Sequence, residues 1–93
     1  KEIDNTFSAY NRIASYYLKN EIDPVQALKY AELSVDLNKK FFNLSTLAEA
    51  YAANNNLSKA IEAAKESLAL SQKAENKTYS KRNEDNIAKW QSK

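Results

Sequence analysis

The chain matches itself at a fixed distance. Ala27, Leu28, Ala31, Ser34, Val35 and Leu37 recur in the same order and spacing as Ala60, Ile61, Ala64, Ser67, Leu68 and Leu70. Just upstream, Tyr10, Ile13, Ala14 and Tyr17 recur as Leu44, Leu47, Ala48 and Tyr51, with the offset longer by a single position. A period of about 34 residues marks a supersecondary unit that buries its apolar face by stacking on its own copy. Inside each unit the spacing is helical. Tyr10, Ile13, Ala14 and Tyr17 stand at i, i+3, i+4 and i+7, one apolar stripe. Ala27, Leu28, Ala31, Ser34 and Val35 form a second stripe with small residues at its centre, where a neighbouring helix can come close. The unit reads as an antiparallel helical hairpin, and the fold class as an all-α superhelix of about five helices.

The chain has no glycine and one proline. Tight β-hairpin turns call on glycine for positive φ, so sheets built on them are excluded. So are glycine-rich phosphate loops, whose backbone must approach the anion closely. The helix ends must therefore be made by other residues. Asp23-Pro24 predicts a helix start: Asp caps, and Pro loses an N–H that had no partner. Asn54, Asn55 and Asn56 form the matching turn, since Asn tolerates the left-handed region. Asn56 or Ser58 caps the next helix, and Asn38 with the following lysines ends the first unit. The one-position difference between the two offsets falls in residues 20–23, where a turn absorbs an insertion. Helices are expected near 4–19, 24–38, 42–54, 58–73 and 76–91.

Composition narrows function. The 93 residues contain no histidine and no cysteine, which removes most zinc sites, His-dependent triads and thiol chemistry. Fourteen basic against 12 acidic residues leave a formal charge of +2, too balanced for a nucleic-acid footprint. No stretch approaches the roughly 18 apolar residues of a membrane span. The first residue is Lys1, without an initiator Met or a signal-peptide pattern, so the chain is expected to be a segment of a longer protein. Cytoplasm and periplasm both stay open as its compartment.

The two units resemble the tetratricopeptide repeat, whose pattern is Trp-x2-Leu-Gly-x2-Tyr, then Ala-x3-Phe, then Pro. Here the first half reads Tyr10-x2-Ile13-Ala14-x2-Tyr17 and Leu44-x2-Leu47-Ala48-x2-Tyr51; the second reads Ala27-x3-Ala31 and Ala60-x3-Ala64. The departures are Ala for Gly, Ala for Phe, and Lys39 and Gln72 in place of the closing Pro. The resemblance covers about residues 7–74: repeat 1 at 7–40 and repeat 2 at 41–74, within a single domain of 1–93. Continuing the frame places Thr78, Lys81, Arg82 and Asp85 where the motif residues should be. Residues 76–91 carry instead their own stripe of Tyr79, Asn83, Ile87 and Trp90, and are expected to be a capping helix with Trp90 as its apolar anchor. The wording of residues 43–51 also resembles bacterial repeat segments appended to thioredoxin-like or other extracytoplasmic domains.

In this family the first helices line a concave wall. The resemblance places Asn11, Ser15 and Leu18, with Ser8, beside Phe42, Ser45, Glu49 and Ala52 on it. It implies a binding or scaffolding module for a peptide segment, or for another domain of the parent chain. The alternative for the same face is a solvated surface without a ligand. The positions that clamp a C-terminal carboxylate in some members read Asn11, Ser15, Thr46, Asn76 and Ser80, without the basic residues that capture requires. A different function class is a non-catalytic appendage of an enzyme, such as a thioredoxin-like protein, serving positioning or dimerisation. A second alternative is self-association, as a homodimer, through the groove or the Trp90 face. No cofactor or metal and no catalytic residue is implied. Tyr10, Tyr16, Tyr17 and Tyr51 could stack bases, but their stripe positions point to core. Lys77, Lys81, Arg82, Lys89 and Lys93 read as a solvated face. Glu62 and Glu66, flanked by Lys59 and Lys65, read as surface ion pairing rather than acid–base chemistry.

Overall fold

A computed structural model describes residues 2–93, with side chains from residue 6 onward. It is all-α. Five helices run in chain order: α1 Glu2–Lys19, α2 Pro24–Leu37, α3 Phe41–Ala53, α4 Leu57–Lys73 and α5 Lys77–Gln91. There is no strand among the described residues. None of these helices is long and apolar enough to cross a membrane.

The starts of α2 and α4 follow the expected caps, and α5 adds one of its own. The Asp23 carboxylate accepts from the Gln26 N–H, with Pro24 in the first turn. Asn56 accepts from the Lys59 N–H, and Asn76 from the Tyr79 N–H, so α5 begins one residue later than the sequence suggests. Three of the four turns, all but the one between α2 and α3, close in one shared way. In each, an N–H bonds back five residues (Ile22 to Tyr17, Asn56 to Tyr51, Asn76 to Ser71). The residue before it bonds back three. This is the Schellman arrangement, which wants its left-handed residue to be glycine. Here that residue is Glu21, Asn55 or Glu75, with φ of 54°, 64° and 57°. Only Asn55 is suited to the conformation. A Glu75→Gly change is expected to stabilise the domain by about 0.5–1 kcal/mol, the relief of left-handed strain less the added unfolded-chain entropy. Thermal unfolding should show a rise of a few degrees.

Alanine sets the helix spacing. Ala14, Ala27, Ala31, Ala48, Ala60 and Ala64 are fully buried. Ala14, Ala31, Leu44, Leu47 and Ala50 form one core between the two hairpins. Trp90 closes a second with Ala48, Ala60, Ala63 and Ala64, backed by Ile87. Trp90 is thus spent inside the protein, and the dimer expected through it has no exposed ring to use. Ile13 departs from its expected place: it is 38% exposed, because among the described residues nothing packs on that side of α1.

Polar residues tie the layers. The Ser34 hydroxyl of α2 donates to the Phe7 carbonyl of α1 and accepts from the Asn43 amide of α3 at 3.0 Å. The same amide reaches the Asn38 carbonyl at 2.8 Å, while Asn43 Oδ1 accepts the Lys40 N–H at 2.8 Å. One unit on, Ser67 donates to the Phe41 carbonyl at 2.6 Å and accepts from Asn83 of α5 at 2.8 Å. Asn83 Oδ1 has no partner within the chain. Both asparagines are fully buried. Truncating either leaves a similar void, but Asn43→Ala strands more polar groups. It is expected to cost about 1–2 kcal/mol more than Asn83→Ala, read as the difference between their urea-unfolding free energies.

The helices stack unevenly. α1 touches α3 and α3 touches α5, whereas α2 and α4 do not meet. The stack therefore curves toward the odd-numbered helices. A cleft of about 390 Å³ opens on the outer side between α2 and α4, lined by Val35, Leu47, Tyr51 and charged residues.

Candidate functional site

The inner wall is made by α1, α3 and α5, and its lower rim is aromatic. Phe7 packs on Phe42 (centroids 6.1 Å), Phe42 on Phe41 (5.8 Å), and Phe41 edge-on to Tyr79 (5.3 Å). This row joins the second turn of α1 to the first turns of α3 and α5. Two turns further along α3, Glu49 bridges α3 to α5. Its carboxylate accepts from Arg82 Nε and Nη2, both at 2.9 Å, and from Asn86 Nδ2 at 3.1 Å. The guanidinium also lies 5.5 Å over the Tyr79 ring. The hydrogen bond to Glu49 pushes the Arg82 pKa upward, against the opposing effect of partial burial. The bridge thus keeps its positive end at any pH the fold meets.

The sequence assigns seven wall residues to a partner. Ser15, Leu18 and Glu49 come together, with Lys19 and Arg82, around a cleft of about 290 Å³. Asn11 and Ser15 border an adjoining hollow with Arg12, Tyr16 and Lys19. The other three are engaged elsewhere. Phe42 sits in the aromatic row. Ser45 is buried, its hydroxyl without a partner within the chain. Ala52 packs on the second core beside Ala48 and Ala60. α3 is enclosed by neighbours on nearly every side, so its first turns offer little to a ligand.

Arg82, Asn86 and Lys19 are additions that the sequence pattern does not place at this surface. Arg82 reads there as part of a solvated basic run, together with Lys81, which does pair with Asp85 on the exposed face. A signal was available: Glu49 and Arg82 are opposite charges separated by one repeat period. In stacked hairpins that spacing puts them on adjacent first helices. The tyrosines behave as packing residues. Tyr30 stacks on Tyr17 at 6.2 Å and leans on Tyr10 at 5.7 Å, and all three are half-buried.

Comparison with family models, with curated proteins and with solved structures finds no match. The inner cleft is amphipathic: Leu18 supplies an apolar floor, and Lys19, Glu49 and Arg82 supply charge of both signs. The bridge across it is partly solvated, which limits its strength. A double-mutant cycle of Glu49→Ala with Arg82→Ala is expected to give a coupling of about 0.5–1 kcal/mol. That coupling should shrink as salt is added to the denaturation series.

Proposed function

We propose that the protein is a helical-repeat binding module of the tetratricopeptide type, without catalysis of its own. It would receive a short peptide segment, or the edge of a neighbouring domain, along its inner wall. The observation that carries this reading is the cleft between α1, α3 and α5, where Leu18 lies among Lys19, Glu49 and Arg82 beside the exposed Ser15. A peptide with one apolar side chain and flanking polar groups meets that surface with its demands matched. The wall is only three helices wide, so the contact area is small and the affinity modest. Support for the repeat type comes from bonds that recur in register. Ser34 to Phe7 is echoed by Ser67 to Phe41, and Asn20 to Tyr16 by Asn54 to Ala50.

The test is to fill the cleft without disturbing the fold. Ser15→Trp does so from an exposed position, leaving the Glu49–Arg82 bridge intact. Proteins captured by the wild-type domain and identified by mass spectrometry should be lost with Ser15→Trp, while the melting curve stays unchanged. Recovery of the same proteins by both would remove the inner wall as the binding surface.

A further inference from the structure

The turns of the two hairpins differ in length and in polarity. Between α3 and α4 the turn is Asn54, Asn55 and Asn56, and α4 opens on Leu57 and Ser58. Between α1 and α2 the chain carries one residue more, and Ile22 stands where Asn56 closes the second turn. Ile22 is 42% exposed, and Val25, the counterpart of Ser58, is 69% exposed. An apolar residue just after the left-handed position commonly packs back on its own helix. Here Ile22 and Tyr17 line an apolar pocket of about 230 Å³, completed by Leu18, Pro24 and Ala53 and bordered by Glu21. The Asn54 amide donates to the Pro24 carbonyl at 2.9 Å. That bond fixes the end of α3 against the start of α2, so the pocket walls are set before anything enters.

The pocket continues the inner cleft. Leu18 lines the pocket on one side and, on the other, the cleft with Ser15, Lys19, Glu49 and Arg82. The charge there is not balanced. Glu49 is committed to Arg82 and Asn86. Lys19 is exposed and forms no ion pair among the described residues. A guanidinium has five N–H groups, and Glu49 takes two of those on Arg82. The cleft therefore offers surplus donors and net positive charge beside an apolar pocket. Both lie between α1 and α3, walled by residues of the two hairpins and α5. A further hairpin stacked before α1 in the same register would meet it as α1 and α2 meet α3, on the side of α1 away from α3. A preceding repeat of the same kind would leave the pocket and the cleft unfilled.

We infer that the pocket and cleft together select an extended segment of a partner protein that carries an acidic side chain and, two positions from it, a large apolar one. The inference rests on the inner-wall reading proposed above and names what that wall selects. In an extended chain, side chains two positions apart point the same way and stand about 6–7 Å from each other. The carboxylate of the partner meets the Lys19 ammonium, the Ser15 hydroxyl and the N–H groups of Arg82 that Glu49 leaves over. The apolar side chain crosses Leu18 and fills the pocket of Ile22, Pro24 and Ala53. The polar second turn, with Asn56 in place of Ile22, offers no equivalent, so the segment is read at one place on the wall.

The probe is the peptide Ser-Leu-Ser-Glu-Ser-Leu-Ser, capped at both ends, which presents the acidic–apolar pair in either chain direction. It is titrated into the isotopically labelled full chain. Saturable NMR shifts are expected at Leu18, Lys19, Ile22, Ala53 and Arg82. Binding should weaken about tenfold or more with Ala53→Trp, which fills the pocket, and with Lys19→Glu. Replacing the peptide's acid by Gln, or its leucines by Ser, should do the same. Lys89→Glu, exposed on α5, should leave binding unchanged. All three protein positions are exposed, so the variants keep the fold, which circular dichroism confirms. No saturable change, or shifts centred on another face, would overturn the inference. Sensitivity to Lys19→Glu with indifference to Ala53→Trp would also overturn it, while leaving the inner wall as a binding surface; that wider reading fails separately, through the Ser15→Trp capture experiment. The longest natural polypeptide that contains these residues should give the same shifts. If a flanking segment of that polypeptide already fills the pocket and excludes the peptide, the partner is not a separate protein and the inference falls. Sedimentation showing a dimer that Ala53→Trp dissociates would have the same force.

Discussion

A buried serine hydroxyl, passed one bond from each side, sets the relation between the layers. Ser34 and Ser67 each give their proton to a backbone carbonyl in the preceding helix and receive one from an asparagine in a later helix. A carbonyl inside a helix already has its ladder bond, so the hydroxyl uses its second lone pair and leaves the helix intact. The geometry is satisfied only when the helices stand at alanine distance. Hydrophobic contact alone would tolerate sliding; these bonds do not. The first relay is the more complete. Asn43 ties the end of α2, the start of α3 and the hydroxyl together, so the link between hairpins is fixed at three points.

Much of this was legible because a repeat is a redundant message. Two copies of the Tyr/Leu-x2-Ile/Leu-Ala-x2-Tyr pattern, followed by alanine stripes, specify the helices, their pairing and their order. Capping residues mark the starts of α2 and α4. The relays were not legible. Ser34 and Ser67 read as merely small, and Asn43 looks like an ordinary first-turn polar residue. Nothing local says that an amide will be enclosed by three helices. The left-handed turns at Glu21 and Glu75 are hidden for a related reason: the closing bond pattern of the preceding helix overrides the preference of the residue that must adopt them.

The inner wall was legible in outline only. The frame places Ser15, Leu18 and Glu49 correctly relative to one another. It cannot show that Ser45 and Ala52 are covered, because that depends on how closely α5 approaches α3. Glu49, expected to face a partner, lines the cleft and also joins two helices. A carboxylate held by a guanidinium and an amide is preorganised, so the charge pattern of the cleft is fixed before anything enters it. Ile13 and Tyr16 look like core in the linear reading, yet among the described residues they are exposed where their counterparts Leu47 and Ala50 are buried.

The separation of α2 from α4 has a mechanical consequence. The odd-numbered helices are joined by aromatic contacts and the carboxylate–guanidinium bridge. The even-numbered ones do not touch; on that side the solvated Lys39–Glu66 pair, at 2.7 Å, ties only the α2–α3 connection to α4. Such a body flexes about its inner seam as a bound book opens along its spine. Changes of curvature there require little apolar surface to be exposed, and the pitch of the superhelix becomes its softest coordinate.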